Sequence, residues 1–123
     1  MKIFLYSHAG DPSGDKLSQQ IKTNLPEAGM EVCRTIRDLS QNLRQPTEDS
    51  GVAVLLVSDQ EDLKNIISLR HLFQNIRIIL LLPNKEPETV AMAHQLRPRF
   101  LTDRNSDFVE VTAVLKKMFK ERS

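Results

Sequence analysis

The residues best placed to do chemistry stand at the end of an unbroken apolar run, Gly51-Val-Ala-Val-Leu-Leu-Val57, which stops abruptly at Ser58, Asp59, Gln60, Glu61 and Asp62. A short run of this kind, β-branched at several positions and with no polar residue alternating through it, predicts a strand buried on both faces. In open α/β sheets, ligands bind just beyond the carboxyl ends of such strands, which makes Asp59 the best-placed polar residue of the chain. Its carboxylate has two uses there: it can meet a ligand, or it can cap the helix that follows by accepting from free first-turn amides. We favour the cap.

A second candidate region follows the first apolar run, Ile3 to Tyr6, in the loop Ser7-His8-Ala9-Gly10-Asp11-Pro12-Ser13-Gly14-Asp15. Two glycines, a serine and a helix amino terminus after a strand could cradle a phosphate or another anion. The loop lacks the G-x-x-x-x-G-K-[ST] and G-x-G-x-x-G spacings that mark nucleotide sites. His8 has the ring nitrogens for a general base, a phosphoacceptor or a metal ligand, and Asp59, Glu61 and Asp62 could join it. No His-x-x-x-His or His-x-x-Glu spacing supports a metal centre, and none is assigned. His71 and His94 fall on expected helices and read as surface or half-buried helix residues.

The elements that must position these residues alternate. Asp11 and Pro12 make an N-cap and first-turn pair for a helix with Leu17, Ile21 and Leu25 at helical spacing. Met30 to Ile36 alternates apolar and polar, as a strand near a sheet edge would. Asp38 to Gln45 is a short helix closed by Pro46, and Thr47 to Ser50 lead into the central strand. Glu61 to Asn75 carries a wide apolar stripe, Ile76 to Leu82 is a fourth strand, and Pro87 opens a helix with Val90, Met92, Ala93 and Leu96 inward. Arg99 to Thr102 is a fifth, short strand. Phe108, Val111, Leu115, Met118 and Phe119 give the last helix its core face. Five strand-helix units without a linker predict one α/β domain over 1–123, a doubly wound three-layer sandwich with a five-stranded parallel sheet.

Composition narrows the function. Seventeen Lys and Arg against sixteen Asp and Glu leave a charge of +1, which argues against nucleic acid or an anionic membrane as partner. Basic residues in the final helix, Lys116, Lys117, Lys120 and Arg122, suit a helix carboxyl terminus. The single Cys33 excludes an internal disulfide and suits a reducing cytosol, and its place within an expected strand makes it a small core residue. The amino-terminal apolar run is too short for a secretory signal, and no stretch is long enough to span a bilayer, so a cytoplasmic location is expected.

The five units, with an apolar third strand ending in Ser58-Asp59, resemble the receiver domain of bacterial response regulators. The resemblance implies a flavodoxin-like sheet in the order 2-1-3-4-5 and a role in two-component signalling. It also implies phosphoryl transfer to an aspartate after the third strand, where Asp59 stands as the candidate phosphoacceptor. That chemistry uses magnesium held by an acid pair after the first strand, a hydroxyl residue after the fourth and a lysine after the fifth. This chain has Ser7 and His8 for the acid pair, Leu82 and Pro83 for the hydroxyl, and Thr102 or Asp103 for the lysine, with Arg104 nearby but offset. Asp11 or Asp15 would have to supply the missing carboxylate.

The chain thus resembles a degenerate receiver, or pseudo-receiver, and is expected to be non-enzymatic, without a cofactor, and to act by binding a protein. Magnesium enters only if Asp59 is phosphorylated in a rebuilt metal site, the first alternative; the second is a small-anion binder using the Ser7 to Asp15 loop. The resemblance places an interaction surface, including a candidate homodimer contact, in the region 88–119, with Arg97, Arg99, Lys116 and Lys120 exposed.

Overall fold

All six residues of strand β3 (Gly51–Leu56) are buried, so both of its faces are covered. The computed structural model describes residues 2–45, 51–105 and 108–122. Around β3 run β1 (Lys2–Ser7), β2 (Gly29–Cys33), β4 (Ile76–Leu82) and β5 (Phe100–Asp103), in a sheet of order β2-β1-β3-β4-β5. Every pairing is parallel, from Lys2 opposite Gly51 in the centre to Leu82 opposite Asp103 at the edge. The crossovers are α1 (Pro12–Asn24), α2 (Ile36–Arg44), α3 (Gln60–Ile67) and α4 (Pro87–Ala93), and α5 (Val109–Arg122) follows β5. This is the flavodoxin-like arrangement.

Strand side chains alternate across the sheet, and two cores result. Phe4, Tyr6, Ala53, Leu55, Ile78 and Leu80 pack with Leu39 of α2, Leu63 and Ile66 of α3 and Ala93 of α4. Ile3, Leu5, Val52, Val54, Ile79 and Leu81 pack with Leu17 and Ile21 of α1 and with Val111, Leu115 and Met118 of α5. Truncating a central residue such as Leu55 would open a cavity and cost about 2–5 kcal/mol.

Of the boundaries that differ from those the sequence suggests, three bear on packing, and the helix opened by Pro87 likewise ends at Ala93, with Leu96 in a 3-10 turn. Strand β2 stops at Cys33, and Ile36 belongs to α2 because Thr35, extended at φ −135 and ψ 160, caps that helix: its Oγ1 accepts from the Asp38 amide at 3.0 Å. The alternating pattern up to Ile36 hides this cap. Helix α3 ends at Ile67, and a 3-10 turn at Arg70–Leu72 carries the apolar stripe onward to buried Phe73. The stripe is continuous although the helix is not. Strand β5 lies one residue later than expected, which puts Asp103 at its end. Pro46 and the connection 47–50 lie outside the described residues. No described helix is long and apolar enough to cross a membrane.

Cys33 closes β2 within the core, with Asn42 Nδ2 at 3.5 Å from its sulfur. Burial pushes the thiol up to about 11 from an ordinary value of 9.0. The same cause, reinforced by the Asp62 carboxylate, raises the buried Tyr6 phenol above its ordinary 10.0. In both groups the folded state holds the proton more tightly than the unfolded chain, so their contribution is complete below pH 9 and is lost as pH rises further. Unfolding midpoints in urea should therefore be unaffected by these groups up to about pH 9 and fall above it. In Cys33→Ala the decline between pH 9 and 11 should be shallower by roughly 2–3 kcal/mol in total. An identical slope in wild type and variant would contradict the assignment.

Candidate functional site at the carboxyl ends of the strands

Beyond β3 the chain turns into α3 at Asp59, which is extended at φ −160 and exposed. Its Oδ1 accepts from the Asp62 amide at 2.8 Å, so Asp59 is the N-cap of α3. Asp62 itself is buried. Its Oδ1 accepts from the Tyr6 hydroxyl at 2.6 Å, and its Oδ2 accepts from the Ser58 amide at 3.0 Å and the Ser58 hydroxyl at 3.1 Å. Three donors thus converge on one carboxylate in the first turn of a helix, where the backbone also favours negative charge. The cluster welds β1 to the β3–α3 turn.

A second tie crosses the sheet. The Arg104 amide donates to Leu82 O at 2.9 Å, extending the β5 pairing by one residue. The guanidinium then reaches over the end of β3, donating from Nη1 to Val57 O at 3.1 Å and from Nη2 to Asp11 Oδ2 at 2.5 Å. Only 18% of the Arg104 side chain and 11% of the Asp11 side chain is exposed, so the pair is largely withdrawn from water. Asp11 Oδ1 is engaged as well: it accepts from the Ser13 amide at 3.0 Å and caps α1. The amide that an incoming anion would use in this loop is held by the loop's own carboxylate.

Ser7 ends β1 fully buried, directly under Gly14 of α1. A Cβ at Gly14 would lie 2.2 Å from Ser7 Oγ and 2.5 Å from Ser7 Cβ. Glycine is required there by contact rather than by backbone angle. Arg34 lies across this corner, with Nη2 at 2.6 Å from Asp15 Oδ1 and Nη1 at 3.4 Å from Ser7 Oγ. Asp15 is 73% exposed, so its ion pair adds little stability.

The remaining candidates are dispersed. His8 is exposed, with Nδ1 2.9 Å from Ala9 O, and Glu61 is exposed on the first turn of α3. Thr102 is half-buried in β5. Asp103 is buried, its Oδ1 accepting from the Asn105 amide at 2.9 Å and its Oδ2 lying 3.1 Å from Lys85 Nζ. Among the described residues no three His, Cys, Asp or Glu are grouped to hold a metal ion. The structure therefore assembles Ser58, Asp59 and Asp62, and separately Asp11 with Arg104; it pairs Asp15 with Arg34 and brings neither His8 nor Glu61 into either group.

Four contributors were not singled out as such from sequence: Tyr6, Arg34, Asp62 and the cross-sheet reach of Arg104. Asp62 carried a signal, because an acid three residues after a capping residue is the spacing of a capping box. Tyr6 carried a weaker one, since a buried phenol needs a partner. Nothing local marks Arg34, or the pairing of Arg104 with a residue 93 positions earlier. Comparison with models of known protein families gives no match, and comparison with curated proteins gives none either.

Two stability measurements follow. Tyr6→Phe leaves Asp62 Oδ1 one donor short in a buried site and should cost about 1–3 kcal/mol in urea unfolding; no change would show that the bond contributes nothing. Gly14→Ala should cost about 1–3 kcal/mol by overpacking against Ser7. Ser7→Gly should relieve it, giving a favourable coupling of at least about 1 kcal/mol in a double-mutant cycle. Strict additivity would contradict the contact.

Proposed function

We propose that this chain is a non-enzymatic, receiver-like signalling module of the cytoplasm that acts by binding another protein. The observation that carries this reading is the Arg104 side chain, held between Asp11 and the Val57 carbonyl. A magnesium-dependent phosphoryl site requires uncommitted carboxylates at that place, since the metal demands hard anionic oxygens in near-octahedral array. Here Asp11 is neutralised by Arg104 and Asp15 by Arg34. A stable, self-satisfied carboxyl end suits a domain whose surface, not its cleft, does the work.

That surface comprises α4, β5 and α5. Arg99, just before β5, and Lys116 of α5 are exposed there, and Val109, at the start of α5, is 57% exposed, the large apolar side chain most open to water among the described residues. A surface that carries exposed cations and an exposed valine suits a partner or second copy that offers acidic and apolar contacts.

One observation favours a second reading: Asp59 is exposed at the end of the central strand, as a phosphoacceptor would be. An amide-resolved NMR titration with magnesium and then beryllofluoride separates the two. The interaction reading predicts that the amides of Ser58, Asp59 and Thr102 stay in place. Magnesium-dependent shifts centred on Asp59 and abolished by Asp59→Asn would overturn it in favour of phosphorylation.

A further inference from the structure

At the opposite end of the molecule from Asp59, a cleft of about 410 Å³ opens between the ends of α3 and α4. Phe73, Ile76, Ile78 and Leu96 form its floor, and Arg70 and Arg97 stand on its rim together with two glutamines. Among the described residues no acidic side chain lines it. Arg70 Nη1 lies 3.4 Å from Gln95 Oε1, so one arginine spans from the 3-10 turn after α3 to the 3-10 turn after α4 (His94–Leu96).

The cleft exists because β4 starts before β5 does. Ladder pairing of these strands begins with Ile79 opposite Phe100, and the Arg99 amide still donates to Ile78 O at 2.8 Å, so Ile76 and Arg77 run ahead of the neighbouring chain. The chain that would otherwise cover them turns aside at Arg97, whose φ of 51 and ψ of 56 are left-handed. A non-glycine residue there costs about 1–2 kcal/mol that glycine would avoid.

Resting on the protein-binding reading above, we infer that this cleft docks an acidic peptide segment of a partner, one that seats an apolar side chain on the floor and sets carboxylates against Arg70 and Arg97. Two guanidinium groups beside a low-dielectric floor attract carboxylates, and guanidinium matches carboxylate in paired hydrogen bonds. Enclosure decides between a peptide and a small metabolite. Small ligands are typically buried over most of their surface, whereas Arg70, Gln74, Gln95 and Arg97 are all exposed around an open mouth. Such a mouth covers one face of its occupant, as an anchor residue on a longer chain requires. The site adjoins the α4–β5–α5 surface but is built from the start of β4 and from the 3-10 turns that follow α3 and α4, with the residues just after them.

Selection of a displayed library of random dodecapeptides on the whole protein tests the inference. Retained peptides should be enriched in Asp and Glu flanking Leu, Ile or Phe. By fluorescence polarisation, the tightest should lose at least about tenfold in affinity for Arg70→Glu/Arg97→Glu, equivalent to about 1.4 kcal/mol, and less than about twofold for Lys116→Glu/Lys120→Glu. Amide spectra of both variants confirm that they fold, which the exposure of these positions favours. Failure to enrich acidic peptides, or equal binding to the cleft variant, overturns the inference. Loss of binding in the α5 variant alone also overturns it while leaving the protein-binding reading standing. N-acetyl-leucine binding as tightly as the peptide would assign the cleft to small carboxylates and overturn the peptide as occupant.

Discussion

The arrangement of the carboxyl end of the sheet depends on one side chain, Arg104. Parallel strands bring their ends to one edge, and here the loops after β1, β3 and β5 meet around a guanidinium that touches Asp11 and the Val57 carbonyl. A charge this far withdrawn from water is tolerable only with its partner in place, because removing either side leaves an uncompensated ion worth several kcal/mol. The three loops are therefore held in one geometry. Asp11 serves twice, since the oxygen not facing Arg104 caps α1. Asp62 does comparable work beside it, binding Tyr6 of β1 to the start of α3.

In consequence, polar residues that look like chemistry in the sequence are largely committed to architecture. Asp59 caps a helix, Ser7 fills the space beneath Gly14, Asp103 faces Lys85 and accepts from a loop amide, and Asp15 faces Arg34. This commitment is the basis of the proposal that the chain is a degenerate receiver working through its surface. Charge is organised differently at the other end, where Arg70 and Arg97 flank an apolar floor that no acid lines among the described residues.

Legibility of the sequence followed the length scale of the interactions. Strands β3 and β4 could be read from their apolar runs, and α5 from its stripe, because those patterns are direct records of burial on two faces or one. The strand order came through the resemblance, not through any local pattern. Boundaries failed where two patterns overlapped: Ile36 continues the alternation of β2 yet follows the Thr35 cap into α2, and the stripe of α3 outlasts its helix through a 3-10 turn. Asp59 as a cap was legible because capping is local. Arg104 meeting Asp11 was not, since it depends on how β5 sits relative to β1, with two strands between them in the sheet.

The most direct test of this account is a double-mutant cycle on Asp11 and Arg104. Asp11→Asn keeps a capping side chain for α1 while removing the charge, and Arg104→Met keeps much of the side chain's bulk. Unfolding free energies in urea should give a coupling of about 1.5–3 kcal/mol between the two positions. A coupling below about 0.5 kcal/mol would mean that the two residues act independently, and that the carboxyl end is not held closed by this pair.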